Sequence, residues 1–269
     1  MRIAFLGGGN MANALIGGLL AQGFEAASIS VIEPSPAARE RISAQGVRVD
    51  PAPDTSTRQA DALVLAVKPQ DLRAALAPLS GSLGDPLVVS IAAGVRLEAI
   101  SRWLGGRQRL VRCMPNTPAL VGAGVTGLYA PPQVGAADRE RSETILKAVG
   151  EVVWVAEERL LDAVTAVSGS GPAYVFWMIE QLAAFAERSG VSRADALLLA
   201  KHCLFGSAKL ALQSERSPAE LRHGVTSKGG TTEAALNVFA EEKLAERFAR
   251  ALEAATRRGA ELGELLGKG

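Results

Sequence analysis

A chain of 269 residues, 48% of them hydrophobic, is long enough for two domains and rich enough in apolar side chains to give each a core. Its 29 Lys and Arg nearly balance 28 Asp and Glu, and a net charge of +1 supplies no field to gather a polyanion, which argues against a nucleic-acid partner. The first residues read as a strand, with no basic run and cleavage site, and Glu180 interrupts the longest apolar helix candidate; secretion and membrane spanning are not expected, and a cytoplasmic location is. Cys113 and Cys203 are too few and too far apart for a disulfide framework or a zinc pattern, so no metal is expected.

In chain order, "RIAFL", "SISVIE", "ALVLAV", "LVVSIAA" and "RLVRCM" are short β-branched runs, each followed by turn or helix signals. That alternation predicts βαβ units and a mostly parallel sheet. "GVTGLYA" and "EVVWVA" lie on short connections and extend the sheet, with an antiparallel pairing open to them. Beyond about Ala156 strand-like runs vanish, and Ala/Leu-rich stretches at 172–188, 193–213 and 231–265 predict helices throughout. The organisation expected is therefore an α/β domain over residues 1–156 and an all-α domain over 157–269. "ADALLLAKHCLFGSAKLALQ" is apolar on nearly every face, which asks for burial all round, and a partner subunit is the cover available to so small a domain. The last helix carries Glu246 and Arg250 at i,i+4, a spacing that suits a solvent-facing surface.

Gly7, Gly9 and Ala12 fit the pattern GxGxxA between a strand and a helix. The first glycine permits a tight turn, the second lets a pyrophosphate approach the backbone, the small third residue packs helix on strand, and the helix N-terminus stabilises the phosphate charge. Dinucleotide binding is the reading this supports; a plain strand-to-helix turn is the bland one. Glu33 ends the second strand about 20 residues on, where an acid accepts hydrogen bonds from an adenosine ribose and repels a 2'-phosphate. Ser35 and Arg39 follow directly and could hold that phosphate, so NAD and NADP both stay open. A second glycine loop, "VTSKGGTTEAAL", sets Ser227, two glycines and two threonines before a helix. Its successive N–H groups and hydroxyls form an anion nest suited to a carboxylate; alternatively Thr231 merely caps the helix.

Those two loops, with "AVKP" (66–69), "SIAAGV" (90–95), "MPNTPA" (114–119) and "DAVTAVSGSGPAY" (162–174), closely resemble pyrroline-5-carboxylate reductase from Ile3 to about Leu262. The resemblance implies a Rossmann-type domain followed by a helical dimerisation domain that interlocks with a second subunit, dimers that commonly assemble into decamers, and reduction of 1-pyrroline-5-carboxylate to L-proline with NADPH or NADH. It implies cofactor contacts from Leu6, Gly7, Gly8, Gly9, Asn10, Met11, Ser35, Ala66, Val67, Lys68, Pro69, Ile91, Ala92 and Ala93. Ser227, Gly230, Thr231 and Thr232 would hold the substrate across a subunit boundary, with Thr232 as the catalytic hydroxyl on the ring nitrogen. Lys228, Gly224 and Pro53 depart from the family, where proline, asparagine and asparagine are usual.

The substrate in its iminium form accepts hydride without a strong acid, so positioning is the main demand. His202 and His223 read as ordinary helical residues, "SGSGPAY" as a flexible turn and then Pro172 in a helix's first turn, and Glu158 as a solvated acid in preference to one that reaches the substrate pocket. Asn116 and Lys68 follow strands and so stand at the crevice end of the sheet. Two rivals are a β-hydroxyacid dehydrogenase, whose catalytic lysine is missing from "SGSGPAYVFWMIEQ", and a nucleotide-sensing binding protein, against which Ser227 and Thr232 speak.

Overall fold

The computed structural model describes residues 1–267, the Ser56 side chain excepted. Eight strands form one sheet: β1 (Ile3–Leu6), β2 (Ile29–Ile32), β3 (Arg48–Asp50), β4 (Ala62–Leu65), β5 (Leu87–Ser90), β6 (Leu110–Met114), β7 (Gly124–Tyr129) and β8 (Gly150–Trp154). Their order is β3-β2-β1-β4-β5-β6-β7-β8. The first six are parallel, β7 runs antiparallel to β6, and β8 is parallel to β7. The order reverses between β1 and β4, and the crevice beyond the carboxyl ends of these strands is where such sheets bind ligands.

The helices are α1 (Asn10–Ala21), α2 (Pro36–Ser43), α3 (Thr55–Arg58), α4 (Leu72–Leu76), α5 (Leu97–Trp103), α6 (Ala136–Lys147), α7 (Leu160–Val164), α8 (Gly171–Arg188), α9 (Arg193–Gln213), α10 (Pro218–Gly224), α11 (Thr231–Glu241) and α12 (Leu244–Gly267). Alternate strand residues face two cores. Ile3, Phe5, Val64, Val89 and Val111 join Leu15, Ile16, Leu19, Ile145 and Leu146 of α1 and α6. Ala4, Leu63, Leu65, Val88 and Leu110 join Leu72, Leu76, Leu97 and Ile100 of α4 and α5 on the other face. Burial on both faces is why these strands read as unbroken apolar runs rather than as alternation.

Two compact units divide the described residues: 1–170 with 255–267, and 171–254. In the second, Ala183 of α8 packs with Ala196 and Ala200 of α9. Little else there is covered: Phe176, Trp177, Phe185, Leu199, Phe205 and Leu212 are exposed. An apolar surface of that extent marks an interface.

Several expectations need correcting. The helix expected over 231–265 is two helices, α11 and α12, broken where Lys243 takes a left-handed φ of 52°. The turn expected at "SGSGPAY" is narrower than that stretch: Ser168 and Gly169 close a π-helical turn, Thr165–Gly169, Ser170 bends the chain, and Pro172 lies in the first turn of α8 as expected. Strand β3 was not expected, because three residues with Arg48 and Asp50 at their ends carry no apolar run. Helix α10 was also missed, although Ser217 and Glu220 form a reciprocal capping box ahead of it.

The sheet is tied to α6 by a bidentate ion pair: Arg109 Nε and Nη2 donate to Asp138 Oδ2 and Oδ1, each at 2.8 Å. Arg141 adds a third bond at 3.1 Å, and the Arg109 hydrogen bonds hold the Asp138 carboxyl below the ordinary carboxylate range. A lowered folded pKa stabilises the fold above the unfolded value of about 4 and loses that contribution as pH falls through the folded value. Asp138→Asn is expected to cost about 1.5–3 kcal/mol in urea melts near neutral pH, the scale of hydrogen bonds to charged groups. The gap from wild type should narrow below about pH 4; a gap that stays constant with pH would contradict this reading.

Candidate active site

The turn between β1 and α1 is built on Gly7, which has φ of 99° and whose N–H donates to Ile32 O at 2.8 Å. A Cβ there would lie 2.7 Å from Val67 Cγ1 and 2.8 Å from the Ala66 carbonyl, so the loop seats directly on the turn after β4. Gly9 holds the N-cap position of α1, and a Cβ on it would meet nothing within 4 Å. No side chain caps α1 and no acid lies in its first turn. Its orphan N–H groups and the positive end of its dipole therefore remain for an anion. Ala12 is fully buried against the sheet.

Around this loop opens a cleft of about 550 Å³. Leu6, Gly7, Gly8, Gly9, Ala66, Val67 and Lys68 line it together, as does Pro53. Asn10 and Met11 begin α1, Ser35 is the N-cap residue of α2, and Pro69 follows Lys68. Ile91, Ala92 and Ala93 follow β5, with Ile91 N–H donating to Leu65 O at 3.1 Å. All of them thus sit at the carboxyl ends of β1, β2, β4 and β5. Pro51, Ala52 and Asp71 also line the cleft and were missed; the first two follow β3, the strand that the sequence pattern hides.

Glu33 does more than end a strand. Its Oε2 accepts the Gly8 N–H and its Oε1 the Ser35 N–H, both at 2.8 Å, so it ties the glycine loop to the next turn. Arg39 Nη1 donates to the carbonyls of Glu33 and Pro34 at 3.1 and 2.7 Å, and Arg41 Nη2 to Gly8 O at 3.2 Å. Lys68 is exposed at the rim. Asn116 is buried with Oδ1 accepting Val125 N–H at 2.9 Å, a bond that braces the start of β7.

The second loop precedes α11. Gly230, not Thr231, is the N-cap residue, and no side chain caps the helix; the simple capping role for Thr231 is thereby corrected. Gly229 turns with φ of 71°, and Gly230 N–H donates to Ser227 O at 3.0 Å. A Cβ on Gly230 would come 2.5 Å from Ser227 Oγ, so only glycine leaves that hydroxyl in place at the helix end. Glu233 Oε2 accepts Gly229 N–H at 2.7 Å, a carboxylate contact that sequence reasoning missed. The N–H groups of Thr231, Thr232 and Glu233 fall in the first helical turn, where no intrahelical acceptor exists. His202 and His223 are exposed on α9 and α10.

Glu158 is not the solvated acid expected. Its Oε1 accepts Leu97 N–H at 2.8 Å and Arg112 Nη1 at 3.1 Å. Asp162 binds Arg96 Nη2 at 2.7 Å and lies 3.7 Å from Arg112 Nη2. Among the described residues no helix is long and apolar enough to cross a membrane.

Comparison with known proteins places these features. Residues 158–262 match the family described as pyrroline-5-carboxylate reductase dimerisation, and residues 2–94 match NADP oxidoreductase, coenzyme F420-dependent. The pyrroline-5-carboxylate reductase of Pseudomonas aeruginosa is 46% identical over 269 residues, spanning 99% of this chain and 98% of its own. The solved pyrroline-5-carboxylate reductase of Coxiella burnetii is 40% identical, with a TM-score of 0.92 over 97% of this chain and 98% of that one. The Plasmodium falciparum pyrroline carboxylate reductase, solved with NADP bound, is 26% identical with a TM-score of 0.84 over 98% of each chain. The uncovered apolar helices lie within the matched dimerisation region, which supports a homodimer. On identity across its whole length, the chain belongs to the pyrroline-5-carboxylate reductase family.

Proposed function

We propose that the two uncapped helix N-termini divide the binding work of an NAD(P)H-dependent pyrroline-5-carboxylate reductase, the α1 end holding the cofactor's pyrophosphate and the α11 end the substrate's carboxylate. The reaction, reduction of 1-pyrroline-5-carboxylate to proline, follows from family membership. The residue roles are our reading, and the observation that carries it is the loop at Ser227–Thr232, with Gly230 bare beside Ser227 Oγ and the helix left without a side-chain cap. A bound nicotinamide supplies the hydride. Leu6–Met11, Ala66–Pro69 and Ile91–Ala93 offer backbone and small side chains for close approach to it, and Ser35 stands by the adenosine ribose.

Ser227 Oγ and the N–H groups of Thr231 and Thr232 clamp the carboxylate, as a helix N-terminus does for an anion. The Thr232 hydroxyl accepts the iminium N–H and so sets the face of the C=N bond. When hydride adds at the imine carbon, the π pair returns to nitrogen, which becomes the neutral ring amine; no protein acid is needed. Positioning of this kind removes a large part of a bimolecular barrier. The β-hydroxyacid dehydrogenase alternative needs an acid/base lysine, and α8 contains none.

The purified protein with NADPH and pyrroline-5-carboxylate should consume nicotinamide absorbance and form proline. Thr232→Ala should lower kcat about ten- to a hundredfold, the effect of losing about 1.4–2.8 kcal/mol in the transition state; an unchanged rate would remove Thr232 from the mechanism. Glu33→Ala should raise the ratio of kcat/KM for NADPH over NADH by about tenfold, because a carboxylate facing a 2'-phosphate is worth on the order of 1.4 kcal/mol of discrimination. Equal losses with both cofactors would reduce Glu33 to a brace between loops.

A further inference from the structure

We infer that Arg96, with Asp162, Arg112 and Glu158, is a positioning cluster that holds the Ile91–Gly94 turn where it receives the nicotinamide cofactor. The inference rests on the reading that Ile91, Ala92 and Ala93 touch that cofactor. Arg112 on β6 and Asp162 on α7 are almost sealed from solvent, at 4% and 6% side-chain exposure. Arg96 and Glu158 are part-exposed, at 26% and 22%. Two cations and two acids balance, and every charge has a partner within the cluster.

Such a cluster is weak evidence for stability, since desolvation consumes most of what the ion pairs gain. What it does is fix geometry. The turn enters from β5 with Ile91 N–H on Leu65 O at 3.1 Å. It leaves through Arg96 and Leu97, and both of these are gripped: the Arg96 guanidinium by Asp162 at 2.7 Å and the Leu97 N–H by Glu158 at 2.8 Å. Glu158 is held in turn by Arg112 at 3.1 Å, which anchors the exit to the neighbouring strand. Between entry and exit, Gly94 takes φ of 79° and lies against Leu262 and Leu266 of α12. Gly263 packs closely on the exit of the turn, since a Cβ there would sit 3.0 Å from both Gly94 O and Arg96 Nε. A turn of four residues pinned at both ends and backed by a helix has one position, while Ala93 at its tip stays exposed. None of the four charged groups lines the cleft at the glycine loop, so their effect on it passes through the turn.

The test measures NADPH dissociation by nicotinamide fluorescence in the full-length protein, for wild type, Arg96→Ala, Arg96→Lys and Glu158→Gln. Arg96→Ala should weaken NADPH about tenfold or more, the scale of a misplaced contact, with KM for pyrroline-5-carboxylate within about twofold of wild type. Arg96→Lys, which keeps the charge, should recover part of the loss. Should Arg96→Ala fail to fold, the Lys and Glu158→Gln variants decide, with about threefold or greater weakening expected of Glu158→Gln. Hydrogen exchange separates the layers of the argument. If NADPH does not slow the amides of 91–94 in wild type, the contact reading fails and takes the inference with it. If those amides slow but folded Arg96→Ala binds NADPH like wild type, or only its melting temperature falls, the cluster is structural alone and positioning is overturned.

Discussion

An α-helix begins with N–H groups that have no acceptor within it, and something outside must meet them. At α1 nothing in the described chain does so by side chain: Gly9 offers none, and the first turn holds Asn10, Met11 and Ala12 with no acid. At α11 the cap residue is again a glycine without a side-chain bond. The two ends differ in that α11 carries Glu233 in its first turn, with its carboxylate on Gly229 N–H, whereas α1 has no acid. In the proposed reading, the α/β unit is what holds the α1 end ready for an anion. The sheet fixes β1 and hence the start of α1; Glu33 and the turn after β4 press on the glycine loop from either side.

The same constraint explains the modest chemistry of the side chains around the loops. The imine carbon of a protonated pyrroline is already an electrophile, so rate depends on where it is held more than on proton transfer. The residues proposed for substrate are accordingly hydroxyls and backbone amides rather than titrating groups. Cys113, buried on β6 with its thiol pushed up by desolvation, is inert core. Charge is used instead as internal fastening: Arg109 to Asp138 clamps a helix to the sheet, and Arg96, Arg112, Glu158 and Asp162 fasten the turn after β5.

Most strands and the long helices were legible because burial on two faces leaves unbroken apolar runs, and because Ala/Leu-rich stretches have few other ways to fold. The glycine loops were legible because their spacing answers a steric demand, as Gly7 and Gly230 illustrate. What escaped the sequence was fixed by distant partners. β3 exists through pairing with β2 rather than through its own residues. Glu158 reads as solvent-facing until Leu97 and Arg112, far away in sequence, come to meet it. The break at Lys243 needs a left-handed residue that no glycine or asparagine announces. Glu233 could have been anticipated, being an acid in the first turn of a helix whose cap lacks a side chain, where such acids are stabilised.

The central claim is that the α11 end recognises the substrate by its carboxylate. Catalytic efficiency toward pyrroline-5-carboxylate and toward 1-pyrroline, the same ring without the carboxylate, measured in wild type and Ser227→Ala, tests it most directly. Wild type should favour the carboxylated ring, and Ser227→Ala should shrink that preference by about ten- to a hundredfold, as expected for one hydrogen bond to a charged group, while leaving 1-pyrroline reduction near its wild-type rate. If Ser227→Ala slows both substrates equally and the preference is unchanged, the nest at Ser227–Thr232 does not bind the carboxylate and the account is wrong.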